Sequence, residues 1–131
     1  MHFIYTKMPA VRKVTGMLAG LSISAVALAH HSDAMFDRDQ QLELQGTVKE
    51  FQFTNPHTWL QVEVVNKDGI SEEWSLEWGS PNQLGRQGIR PSSFPVNARI
   101  TVRTNPMRDG SAGGAFIGAK LPDGKVIGRW E

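Results

Sequence analysis

The sequence predicts a mainly-β domain: a small barrel of five to six strands in Greek-key order, with one short helix between the third and fourth strands. Three observations carry this. Apolar and polar residues alternate with a period of two over several short stretches. Asn66-Lys67-Asp68-Gly69 and Pro122-Asp123-Gly124 are tight-turn signals between such stretches. Ser80-Pro81 is the one clear helix start among them.

The first strand begins at Leu42. Leu42, Leu44, Gly46 and Val48 alternate with Glu43, Gln45, Thr47 and Lys49. Gly46 inside this run points to a bend, a bulge or a close backbone approach. After Glu50 the apolar residues move to odd positions, Phe51 and Phe53, as a bulge would require. Asn55-Pro56 ends the strand, because proline has no N–H for a ladder and bars the residue before it from the helical region. The second strand turns Leu60, Val62 and Val64 to one face, and Trp59, Gln61 and Glu63 to the other. The third turns Trp74, Leu76 and Trp78 inward.

Ser80 is a helix N-cap with Pro81 in the first turn and Gln83 three residues on. The helix runs from about Pro81 to Gln87, closes at Gly88 and buries Leu84. Residues 89–97 read as a loop in which Phe94 caps the core. Ala98, Ile100, Val102 and Thr104 form the fourth strand. Thr104-Asn105-Pro106 repeats Thr54-Asn55-Pro56, so both are read as strand exits. A glycine-rich loop follows over residues 108–114. Residues 115–121 and 125–130 make a terminal hairpin. Strand, strand, strand, helix, strand, hairpin is the order of the oligonucleotide/oligosaccharide-binding (OB) barrel; a plain antiparallel sandwich is the alternative.

Residues 1–29 form a separate segment, a signal peptide. Lys7, Arg12 and Lys13 precede the apolar stretch 14–28, and Ala27-Leu28-Ala29 offers small residues at the cleavage positions, which places the cut before His30. The apolar run is short of the ~20 residues of a spanning helix, so no stable membrane anchor is expected after cleavage. The arm 30–41 then leads into the barrel domain 42–131. The leader takes three of the 14 Lys and Arg residues and none of the 13 Asp and Glu, leaving 11 against 13 and a net charge of −2. A slightly acidic exported domain implies no nucleic-acid partner. There is no cysteine, which excludes disulfides, thiolate metal sites and thiol nucleophiles.

Several short motifs occur together: His30-His31-Ser32, Thr54-Asn55-Pro56-His57, Trp74-Ser75-Leu76-Glu77, Ser80-Pro81 with Leu84, Asn105-Pro106 with Arg108-Asp109-Gly110, and Pro122-Asp123-Gly124. Over the whole processed chain this resembles the small exported bacterial proteins grouped as domain of unknown function 6152. The resemblance implies an exported, barrel-like domain of Gram-negative bacteria, hence a periplasmic one, and no reaction. The chain departs from the family pattern at Ile89-Arg90, where a tryptophan is expected after the glycine.

Two constellations can carry chemistry. The first is a metal site. Cleavage before His30 makes it N-terminal, so its α-amine and imidazole can chelate one ion. His57, the one histidine in the body of the domain, can add a second imidazole, and His31 a third or alternate ligand. A nitrogen-rich set in square geometry favours Cu(II). A cut after Ala27 instead gives Leu28-Ala29-His30, with histidine third, which also binds copper in a square plane. The bland reading is a polar N-terminus and a histidine that caps a turn. The second constellation is an aromatic face, Phe53 and Trp59 with Phe51 and Trp130, for stacking on a protein or saccharide partner; packing in the core is its competitor. No nucleophile–base pair has a recognisable spacing, so no catalytic activity is expected. The expected activity is binding, of copper or of an unidentified periplasmic protein or small ligand.

Overall fold

The computed structural model describes residues 34–131. The segment expected to be a signal peptide, and His30 and His31, lie outside the described residues. Strand β1 spans Leu42–Gln52, β2 Trp59–Val65 and β3 Ser71–Glu77. Helix α1 spans Pro81–Arg86, and a 3-10 turn follows at Pro91–Ser93. Then come β4 Arg99–Pro106, β5 Gly113–Lys120 and β6 Val126–Gly128.

The strands are ordered β3-β2-β1-β4-β5-β6, and parallel pairing of β3 with β5 closes the first five into a barrel. The closure can be followed residue by residue. Gln52 pairs with Trp59, Trp59 with Glu77, Glu77 with Ala115, and Ala115 with Asn105. Asn105 adjoins Thr104, which pairs with Leu42. One circuit of the wall thus leads from the last residue of β1 to its first. A small barrel with this much stagger must tilt its strands steeply. The predicted OB-type barrel is the observed architecture.

Alternation sets what goes inside. Val48, Leu60, Val62, Leu76 and Val102 are buried and meet in one cluster with Ile100, Phe94 and Phe116. Burying each aliphatic side chain contributes roughly 1.5–3 kcal/mol. The phase change in β1 is a bulge between Val48 and Glu50. Gly46 marks a close approach, since a Cβ there would lie 2.5 Å from Cγ1 of Val62 and 2.6 Å from the carbonyl oxygen of Glu63. Helix α1 starts as its sequence requires: the Ser80 hydroxyl accepts from the Gln83 N–H, and Leu84 is buried. Ile89, where the resemblance led to the expectation of a tryptophan, packs against the core cluster.

Two boundaries differ from expectation. Thr104-Asn105-Pro106 is no strand exit: β4 continues through Pro106. Thr104 is buried and donates its hydroxyl to the carbonyl of Ala115 at 2.9 Å, which holds these residues in the ladder. The glycine-rich stretch is also partly strand, because Gly113 and Gly114 open β5. Gly114 sits where walls converge; a Cβ there would lie 2.2 Å from the Thr104 hydroxyl oxygen. The loop expected over 89–97 contains the 3-10 turn, whose Ser93 hydroxyl accepts from the Arg90 N–H.

Candidate functional site

His57 stands in the corner between β1 and β2. The Asn55–Pro56 peptide there is cis, and the Thr54 hydroxyl donates to the carbonyl of His57. The next residue is locked. Thr58 is buried, its N–H and hydroxyl both donate to the carbonyl of Gly79, and its own carbonyl accepts from the Trp78 N–H. The corner is thereby fastened to the chain leaving β3.

That fastening brings His57 to Glu77. Nδ1 of His57 contacts Oε1 of Glu77, whose side chain is 11% exposed, while the His57 side chain is 43% exposed. A carboxylate accepts, so Nδ1 donates. The contact fixes the ring plane and turns the other ring nitrogen, Nε2, away from Glu77. This is how proteins orient a metal-binding imidazole: a carboxylate fixes the tautomer and the ring plane. The bland expectation, a histidine capping the turn through a backbone carbonyl, is not what the side chain does.

The arm reaches the same stretch of wall. Phe36 bridges to Met107 and is 4% exposed. Asp37 N–H donates to Pro106, Arg108 donates from its N–H to Met35 and from Nε to Ala34, and Asn105 Nδ2 donates to Gln40. Phe36 is therefore the pin, while the Met35 side chain is exposed. From the arm the wall continues through Met107 to Gly113, then to Ser75, two residues from Glu77. Three strand spacings of about 4.8 Å make this roughly 14 Å across. The intervening residues on β5 are small, Gly113 and Ala115.

Among the described residues no group of three or more His, Cys, Asp or Glu is placed to hold a metal ion. The His57–Glu77 pair offers one candidate donor atom, Nε2. The other histidines, His2, His30 and His31, lie outside the described residues.

The aromatic expectation divides. Phe53 is half-buried and belongs to a run of rings leading inward: Phe53 to Phe51 at 5.7 Å, Phe51 to Phe94 at 5.0 Å, Phe94 to Phe116 at 5.9 Å. It extends the core instead of forming an outer face. Trp59 does face outward, between Gln52 and Glu77 in the ladder. Beside it Ser75 donates its hydroxyl to Gln61 at 2.5 Å, and Gln61 Nε2 donates to Gln52 at 3.4 Å. Trp130 stacks with Arg103 and Lys120, whose charged heads lie 4.2 and 4.6 Å from its ring. Glu77, the partner of His57, was not among the site residues singled out from the sequence. The signal was present in principle: antiparallel pairing of β2 and β3 sets Glu77 opposite Trp59, two residues from His57.

A model of a family of unknown function, DUF6152, matches residues 19–116. No curated protein matches the chain. Among solved structures, the mitochondrial single-stranded DNA-binding protein Rim1 of S. cerevisiae is similar, with a TM-score of 0.47 and 10% identity over 63% of this chain and 93% of that one. A net charge near zero does not exclude a nucleic-acid partner, contrary to the expectation from the sequence. The physical fault lies in using a whole-molecule charge: Arg99 and Arg103 on β4 flank Thr101, which pairs with Lys120, so cations gather locally in a domain whose total is slightly negative. No partner follows from the match.

Proposed function

The chain belongs to DUF6152, a family of unknown function, and on that premise we propose that it is an exported, periplasmic and non-catalytic binding protein that holds Cu(II) through His57 together with His30 and His31. The observation that carries the reading is the His57–Glu77 contact, which leaves Nε2 presented and oriented. Two further features support it. The arm is pinned through Phe36 and Arg108 about 14 Å of wall away from Ser75, two residues from Glu77. Processing before His30 would add an α-amine nitrogen, and nitrogen donors suit Cu(II).

The test is a titration of Cu(II) into the processed protein with its native N-terminus. Binding tighter than micromolar is expected, weakened by His57→Ala and by a short N-terminal extension. Absence of such binding removes the copper reading; an extension without effect removes the N-terminal ligand alone.

One observation favours a second reading, a saccharide-binding face. Trp59 lies among Gln52, Gln61 and Ser75, which hydrogen-bond one another on the outer surface of the barrel, and a flat ring beside planar polar groups suits a sugar. On this reading Trp59→Ala abolishes binding to an oligosaccharide panel and His57→Ala does not.

A further inference from the structure

A groove of about 630 Å³ lies between the chain following α1 and the β5–β6 hairpin. It shares no residue with the His57–Glu77 pair. One wall carries Lys125 and Arg129, both exposed. The opposite wall carries Gln87 and Ser93. At its base are Trp78 and Phe116, whose rings pack at 4.4 Å with a 44° tilt.

The polar lining has a consistent sense. No carboxylate lines the groove. Neither Lys125 nor Arg129 has an ion-pair partner among the described residues. Ser93 Oγ already accepts from the Arg90 N–H, so its own proton is free to donate. Gln87 adds an amide. Two fixed positive charges and neutral donors facing each other over aromatic and aliphatic side chains complement one type of ligand: a negative group joined to a flat apolar body.

Arg129 is positioned by the backbone. Gly128 has φ +80°, and the Arg129 N–H donates to the carbonyl of Ile117 at 2.9 Å. A side chain at Gly118 would bring Cβ to 1.8 Å from the Arg129 carbonyl oxygen. The hairpin therefore crosses closely here, and the guanidinium emerges from a defined place.

We propose that this groove is a binding site for a small organic anion bearing a planar ring, with Lys125 and Arg129 holding the charge and Trp78 and Phe116 lining the ring's place. The test uses the processed protein and calorimetry with benzoate, indole-3-acetate and adenosine 5′-monophosphate, each beside its uncharged analogue. At least one anion is expected to bind, and at least tenfold more tightly than its analogue. Lys125→Ala with Arg129→Ala should weaken it at least tenfold and leave Cu(II) affinity unchanged. Lys125→Arg, which keeps the charge, should retain most of the affinity and checks that the hairpin still folds. Failure of all three anions to bind overturns the proposal, as does equal binding by the doubly substituted protein. Neither result bears on copper, because the two sites have no residue in common.

Discussion

Nδ1 of His57 meets Oε1 of Glu77 because Trp59 and Glu77 are paired in the β2–β3 ladder and Thr58 ties the intervening corner to Gly79. The contact is therefore a product of sheet register. It leaves the His57 side chain partly exposed at the corner between β1 and β2.

Removing the carboxylate tests this orientation. Glu77→Ala leaves the His57 imidazole in place but free to turn. Loss of a carboxylate supporting a metal-bound histidine typically costs 10–100-fold in affinity. That loss is the expected result in Cu(II) calorimetry, with the far-ultraviolet circular dichroism unchanged. Unaltered affinity would mean that Glu77 does not serve His57 as a ligand.

The core is tested by Leu76→Ala. Leu76 is fully buried in the middle of the cluster, and the strands around it are held by barrel closure. A destabilisation of about 2–5 kcal/mol is expected in urea unfolding. A loss well under ~1 kcal/mol would show that the cluster around it is not packed as described.

Glycine positions give a contrast of sign. Gly114→Ala places a methyl 2.2 Å from the Thr104 hydroxyl oxygen and 2.4 Å from the Asn105 carbonyl oxygen, and the crowding should cost at least ~1–3 kcal/mol. Gly85→Ala, within α1, meets only Nη1 of Arg90 at 3.8 Å and should stabilise by about 0.5–1 kcal/mol. Paired thermal melts check both directions at once.

Much of this was legible in the sequence, and the exceptions share a cause. Period-two alternation located β1 to β4 apart from the end of β4, the Pro122-Asp123-Gly124 turn located the β5–β6 hairpin, and the Ser80-Pro81 signal located α1. Pro106 was misleading, because a proline looks like a strand stop when its neighbours are unknown. In the fold its carbonyl accepts from Asp37 and its lost N–H lies at the strand end. Phe53 looked like a surface aromatic because it lies past the end of β1, where alternation no longer tells which way a ring turns. His57 was visible as the one histidine in the body of the domain. Its partner Glu77 was not, since their meeting depends on register between two strands, and local pattern carries no register.

The loop between β4 and β5 supplies a pH-dependent contact. The Ser111 hydroxyl donates to the Asp109 carboxylate at 2.6 Å, and the Ser111 N–H does so at 2.9 Å. These bonds hold the Asp109 carboxyl below the ordinary aspartate value. A lowered folded-state value means that the ionised form is favoured in the fold. The contribution is present above the unfolded-state value and lost as pH falls through the folded one. Carbon-detected NMR titration should find Asp109 shifted down, and Ser111→Ala should move it back up. An unshifted Asp109 in the parent protein would contradict the assignment.

The central claim is that His57 contributes a nitrogen to a copper centre completed by the processed N-terminus. Electron paramagnetic resonance of the processed protein loaded with one equivalent of Cu(II) tests it most directly, with and without selective ¹⁵N labelling of histidine. The expected result is a tetragonal signal with nitrogen hyperfine structure that changes on labelling, loses one imidazole coupling in His57→Ala, and changes again when the N-terminus is extended. A spectrum identical in the parent protein and His57→Ala would contradict the account.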